Sequence, residues 1–438
     1  MSKHQRLFAL LTIATFFEGF DTRLVSLVQP VIGREFGASK EELGFVLGLS
    51  SLGMVFAFFG VHAADRVGRR PVFLAALAAY ALLTLATAFA PSLTVFTLLQ
   101  VFARMAMVVE LGLAYLILSE EMPPEVRGRV NGLFGGCVAL GASVPDALLH
   151  PLTNLGVGWR GLFLIGAVPL LLFPLYVLQL GETEAFRARR ALAQAAGGSG
   201  AGGGGVGGEA RTGSGATAGG APSPGFGQKL AEELGRLRVL LSSVHRARVA
   251  GITALWVIVN FWSGTALYSF TLYVFDERGW TPADLVLLPL GTVPCGLLGY
   301  SLAGLAMDRL GRRRASSLYL AIGVAATLTC YQASASAAIL AGYFALIGLG
   351  GVWAIVTTWT AELFPTELRA TATGFANNLV GRFGLVFGPM VAGVLGGALG
   401  STADAVAWLG LVPLFGIPIA LALPETNAIR LSPTDGRA

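Results

Sequence analysis

The chain has 438 residues, 54% of them hydrophobic and only 13% charged, where an ordinary soluble domain is roughly a quarter charged. With a mean hydropathy of +0.70, this composition excludes a water-soluble body and leaves a protein partnered by the lipid bilayer. The net charge of +5 and pI near 9.3 do not mark a nucleic-acid binder, because the basic residues collect in short breaks between apolar runs.

A helix needs about 20 apolar residues to cross a bilayer core of roughly 30 Å. In chain order the sequence offers residues 7–31, 43–64, 71–89, 93–118, 130–152 and 161–180. A second set follows at 252–275, 285–306, 315–333, 338–360, 370–396 and 403–423. These runs are continuous and too long for the alternating strands of a barrel. The expected fold is therefore an all-α membrane protein of twelve helices. The first run is too long for a cleavable signal and carries Glu18 and Asp21, so it stays as a helix.

Between the two sets, residues 197–227 are rich in Gly, Ala and Ser and read as a flexible linker. Lys229 to Ala250 then reads as an amphipathic helix on the membrane surface, with Leu230, Leu234, Leu237, Leu241 and Val244 on one stripe. The chain divides into a bundle at 1–181, a central loop at 182–250, a second bundle at 251–424 and a tail at 425–438. Arg23, Arg104 and Arg382 lie inside predicted helices, and Arg34, Lys40, Arg160 and Arg278 fall in odd-numbered breaks. The remaining Lys and Arg occupy the termini, the even-numbered breaks and the central loop. Positive loops stay inside, which predicts a multi-pass protein of the cytoplasmic (inner) membrane with both termini cytoplasmic.

The halves repeat each other. Asp65-Arg66-Val67-Gly68-Arg69-Arg70 recurs as Asp308-Arg309-Leu310-Gly311-Arg312-Arg313, and Glu120 with Pro123 to Arg127 recurs as Glu362 with Pro365 to Arg369. Gly181-Glu182-Thr183 recurs as Pro424-Glu425-Thr426. Six helices per copy give both copies one orientation, so the repeat is parallel. A transporter that rocks one half against the other uses such a repeat; a channel or receptor has no general need for it.

These residues resemble the major facilitator superfamily. Gly304 with Asp308 to Arg313 matches its signature between helices 8 and 9, and Asp65 to Arg70 is the copy between helices 2 and 3, with Val61 where a glycine is expected. Glu18-Gly19-Phe20-Asp21-Thr22 is similar to the helix-1 motif of aromatic-acid–proton symporters and niacin-type carriers. Glu110 sits where the niacin-type and metabolite–proton symporters carry a glutamate. The sugar-binding glutamine pair is missing from residues 260–270.

Charges inside a span cost about 2.5–3.5 kcal/mol each on insertion scales and need a reason. The acidic set is Glu18, Asp21, Glu110 and Asp146; the basic set is Arg23, Arg104 and Arg382. Glu18 and Asp21 share a helix face, while Arg23 lies about 200° around from Asp21. Arg23, Glu110 and Asp146 are open to either function or pairing, and Gly381, Gly384 and Gly388 make packing the reading for Arg382. The resemblance implies a cavity lined by helices 1, 4, 7 and 10. It makes Glu18, Asp21, Arg104, Glu110, Asn260, Trp262, Tyr268, Trp353 and Thr357 candidates for binding substrate and protons. Asp21 or Glu110 would carry the proton, because burial favours a neutral carboxyl, and Arg104 would hold a substrate carboxylate in a two-pronged bond.

Asp65, Arg66, Arg69, Arg127, Asp308, Arg309, Arg312, Glu362 and Arg369 would form a cytoplasmic gate, in which Asp65 and Asp308 pair with Arg127, Arg369 or a helix N-terminus. No phosphate loop, metal-ligand cluster or nucleophile–base signature is present, so no enzyme, metal or cofactor is expected. The cysteines Cys137, Cys295 and Cys330 are scattered through predicted helices. The leading expectation is a monomeric, proton-coupled importer of a small organic acid. An exporter exchanging its cargo for protons and a non-transporting sensor are the alternatives.

Overall fold

The structure is a computed structural model that describes residues 3–122, 124–183, 187, 235, 237–242 and 245–426. Most of the expected linker and amphipathic helix therefore lies outside the described residues. Helices account for every regular element among the described residues. The first half runs α1 (Lys3–Phe36), α2 (Lys40–Val67), α3 (Arg69–Thr87), α4 (Leu93–Glu121), α5 (Pro124–Asn154), α6 (Gly158–Gly166) and α7 (Val168–Gln179). The second runs α8 (Arg246–Tyr268), α9 (Phe270–Asp276), α10 (Pro282–Leu285), α11 (Leu288–Gln332), α12 (Ser336–Leu349) and α13 (Val352–Glu362). It continues through α14 (Thr366–Thr373), a π-helix (Gly374–Gly381), α15 (Phe383–Leu399), α16 (Thr402–Leu409) and α17 (Pro413–Ala422).

Nine stretches among the described residues are long and apolar enough to cross a membrane. One of them, Pro282–Gln332, runs 51 residues and turns at Gly311 (φ 79°, ψ 170°). α1 and α2 stand apart from the nine, α1 because Glu18, Asp21 and Arg23 crowd one window. The count of twelve stands as a reading of the sequence. The surface is apolar: Leu178 is 83% exposed, Leu171 80% and Phe415 70%, while Glu18, Asp21, Arg104 and Glu110 are buried. That inversion suits a molecule solvated by lipid, where apolar chains face out and ionisable groups face the interior.

Local chemistry sets the helix ends. Ser39 and Glu42 close a reciprocal capping box at the start of α2, satisfying two backbone donors at once. Ser92 accepts from the Val95 amide to start α4. Glycines let the helices cross at backbone contact. A Cβ at Gly19 would strike the Val138 carbonyl, and one at Gly141 the Phe16 carbonyl, so α1 and α5 touch. A Cβ at Gly44 would lie 2.6 Å from the Pro389 oxygen and 2.9 Å from the Gly393 Cα, which seats α2 on α15 across the two halves.

The repeated motifs build the same turn twice. Gly68 (φ 120°) and Gly311 (φ 79°) take backbone angles that favour glycine. Arg69 pairs with Glu120 at 3.2 Å and Arg312 with Glu362 at 2.7 Å. Glu182 accepts from the Arg69 and Arg70 amides at 3.0 and 3.3 Å. Glu425 does the same for Arg312 and Arg313 at 2.8 and 3.1 Å. A carboxylate on the orphan donors of a helix start stabilises that end. Each of these bonds stays within one half. Arg369 donates to the Phe364 carbonyl at 3.2 Å, and Asp308 and Arg309 are exposed. The side chains of Asp65, Arg66 and Arg127 lie outside the described residues.

The two halves meet at the opposite end. Arg34 pairs with Asp276 at 3.1 Å and Lys40 with Glu277 at 3.0 Å. Glu277 also accepts from the Thr402 and Ala403 amides. Partial burial pushes the Glu277 carboxyl up, but Lys40 and those amides outweigh it and hold the group below its ordinary value.

Candidate functional site

α1 and α4 place the central charges. Asp21 accepts from the Thr84 hydroxyl of α3 at 3.4 Å, and its other oxygen has no partner. Arg104 on α4 is 1% exposed. One of its nitrogens donates to the Thr22 carbonyl at 3.3 Å, while Nε and Nη1 have no partner. Its guanidinium carbon lies 5.9 Å from the centre of the Tyr268 ring, at the end of α8. A Cβ at Gly53 would strike the Val101 carbonyl, so the bare face of α2 fixes how deep α4 sits.

An incompletely bonded buried cation is costly, because each unsatisfied polar group forfeits its hydration. Two free N–H directions on a planar fork match two carboxylate oxygens. The Tyr268 face offers the same cation, or a ring bound beside it, an apolar wall. Chemically, this is a berth for a small anion carrying a flat apolar body.

A second layer holds Glu110, buried with both oxygens unpartnered, and Glu18, with one oxygen unpartnered. Glu18 lies within the electrostatic reach of Glu110, Arg382 and Asp21. Arg382 follows the π-helix. The glycine packing expected around it is present: a Cβ at Gly388 would lie 2.6 Å from the Phe261 oxygen, and one at Gly384 would strike the Val257 oxygen. Its charge also lies in the field of Glu18, a proximity for which the only advance signal was a charge inside a span.

Arg23 and Asp146 resolve as a pair. Arg23 Nη2 reaches Asp146 at 2.9 Å and Thr271 at 3.1 Å, Nη1 reaches Ser26 at 3.1 Å, and Nε reaches Asp146 at 3.1 Å. All three guanidinium nitrogens are occupied, and Thr271 belongs to the second half. This arginine ties helices together, on the side of α1 away from Asp21, as the 200° separation requires.

The aromatic and polar companions divide. Tyr268 faces Arg104. Trp353 is half-buried, donates to Ser263 at 3.4 Å and packs edge-on against Trp256. Thr357 is exposed and bonds the Trp353 carbonyl at 2.6 Å. Trp262 instead donates to Thr327 at 2.9 Å and packs over Gly323, which makes it core between α8 and α11. Asn260 is fully buried with both amide atoms unpartnered. It backs onto the glycines of the π-helix and α15, 3.3 Å from a Cβ placed at Gly381. Among the described residues no cluster of three or more His, Cys, Asp or Glu could hold a metal.

Comparisons with known proteins bear on the family and the fold. The sequence model of the family described as Major Facilitator Superfamily matches residues 11–389. The niacin transporter NiaP of Acinetobacter baylyi is 25% identical over 396 residues, covering 89% of this chain and 86% of the relative. The 4-hydroxybenzoate transporter PcaK of the same organism is 25% identical over 421 residues, covering 90% and 86%. The crystal structure of a D-xylose–proton symporter superposes with a TM-score of 0.69 at 17% identity, over 97% of this chain and 99% of that one.

Proposed function

The chain belongs to the Major Facilitator Superfamily, and from that premise we propose that it moves a small organic acid, with aromatic acids first, across the cytoplasmic membrane together with protons. The observation that carries this reading is Arg104: buried, two nitrogens free, under Tyr268 and bonded to the carbonyl of Thr22, the chain neighbour of Asp21. The relatives named for niacin and 4-hydroxybenzoate are named for ring-bearing carboxylates, the shape this berth suits. Arg104 takes the substrate carboxylate, and Tyr268 with Trp353 flanks the ring.

Asp21 is the proton carrier at the berth. When it is ionised it competes for Arg104; once protonated it releases the guanidinium to the incoming carboxylate, so proton and substrate load together. Glu110, with Glu18 beside it, is the second carboxyl on the route. The Arg-rich turns face the cytoplasm by the positive-inside rule, both termini with them, and the protein works as a monomer. Residues 1–181 and 251–424 act as the two rocking halves. In this cycle the gate formed by Asp65, Arg66, Arg69, Arg127, Asp308, Arg309, Arg312, Glu362 and Arg369 controls conformation without touching substrate.

Proton flux in proteoliposomes holding a pH-sensitive dye tests the reading, with a panel of aromatic and aliphatic acids, sugars and organic cations and with protein-free vesicles as the leakage control. Internal acidification with one acid class, only when protein is present, is the expected result. Alkalinisation with a cation would replace it with exchange. Asp21→Asn is expected to abolish proton-driven uptake, and undiminished uptake in that variant would remove Asp21 from its role.

A further inference from the structure

Apart from the central site, the second half carries a groove of about 640 Å³. It runs along α8, where Arg246, Ala250, Thr253, Ala254, Val257 and Ile258 form one stripe, and Phe375 of the π-helix closes the far wall. Inside the mouth the walls are carbon except for the Thr253 hydroxyl, which has no partner. From Arg246 to Ile258 the groove follows thirteen residues of helix, whose twelve steps span about 18 Å at ~1.5 Å per residue. That is close to the depth of one leaflet, half of a roughly 30 Å core.

Positive charge is confined to the mouth. α8 starts at Arg246 with no side chain capping its first amides, so the helix dipole faces outward there. Arg246 and Arg248 are exposed beside it, and the His245 Nδ1 has no partner. A peptide segment entering to this depth would strand backbone groups away from water. Water would find almost nothing to bond. A hydrocarbon chain under an anionic headgroup fits both parts.

We propose that this groove holds one acyl chain of an anionic phospholipid, its phosphate resting on Arg246 and the start of α8. The bound chain then sets the spacing between α8 and the π-helix that leads to Arg382.

Native mass spectrometry of the full-length protein tests this, titrating phosphatidylglycerol and phosphatidylcholine with matched acyl chains. In the unmodified protein the first phosphatidylglycerol is expected to bind more tightly than the first phosphatidylcholine. Ala254→Leu and Ala254→Trp fill the groove and are expected to lose that tight adduct; having two sizes of filler guards against a folding artefact, which thermal unfolding checks. Arg246→Gln keeps an adduct but loses about five-fold in headgroup preference, the share of one basic contact near a membrane surface. Unchanged first-lipid affinity in both filled variants overturns the proposal, as does full headgroup preference in Arg246→Gln. Faster hydrogen exchange over residues 229–245 on filling, with lipid adducts unchanged, also overturns it and assigns the groove to the central segment.

Discussion

Arg104 and Arg23 are the same chemical group in two situations. Arg23 has every nitrogen occupied, by Asp146, Ser26 and Thr271, whereas Arg104 leaves Nε and Nη1 open. Their substitutions should therefore fail in different assays. Arg104→Ala is expected to raise the KM for substrate by roughly 30-fold or more, the ~2–5 kcal/mol of a lost buried charge contact, with little change in thermal stability. Arg104→Lys keeps the charge without the fork and should fall between. Arg23→Ala strands Asp146 and should cost about 3–5 kcal/mol of stability, which Arg23→Leu with Asp146→Leu recovers in large part. Thermal unfolding alongside uptake kinetics separates the two, and identical profiles for Arg104→Ala and Arg23→Ala would refute the distinction. The sequence made all these charges visible, because a charge in a span stands out from its neighbours. It did not show which cation was already satisfied, since Asp146 lies 123 residues from Arg23 and only the fold brings it in.

At the level of elements, the helices and the duplication were legible because the bilayer imposes length and the motifs repeat in register. Side-chain facing was less so. Trp262 and Asn260 sit two residues apart, about 200° around α8, and one packs on α11 while the other packs on α15; which neighbour each side would meet is set only by the fold. The π-helix at Gly374–Gly381 has no local signature beyond its glycines, because an i→i+5 turn is held by the surrounding packing. Glu182 and Glu425 were recognised as repeated, but their partner amides lie more than a hundred residues back. Close helix crossings make a direct prediction. Gly19→Ala forces a Cβ into the Val138 carbonyl, a backbone atom that cannot step aside, and should destabilise by ~1–3 kcal/mol. Gly136→Ala meets nothing within 4 Å and should be neutral or stabilising, up to ~1 kcal/mol from helix propensity. Unfolding midpoints of the two purified proteins decide it; equal losses would mean α1 and α5 do not cross as described.

Across the whole molecule, Arg34–Asp276 and Lys40–Glu277 tie the halves together at the end opposite the Arg-rich turns. Glu277 is held below its ordinary value, near 4.3 for a free glutamate. Its contribution is therefore complete above that value and lost only as pH falls through the lower folded one. The spacing between spin labels at Leu155 and Leu287, both exposed, should accordingly stay fixed from pH 8 to pH 5. Glu277→Gln should widen it at pH 7. A pH-dependent spacing in the unmodified protein that Glu277→Gln abolishes would contradict this assignment. The charged window of α1 has a consequence for how the chain is made. Glu18, Asp21 and Arg23 each cost about 2.5–3.5 kcal/mol to insert, against ~0.3–0.6 kcal/mol recovered per large apolar residue, so α1 alone is a poor recruit to the bilayer. At ~5–20 residues per second, Asp146 leaves the ribosome roughly 6–25 s after Arg23. A cysteine at Ile13 should therefore react with a water-soluble maleimide in nascent chains halted at residue 120 and become protected once α5 is complete. This charged helix would settle late, held at the translocon until its counter-charge arrives.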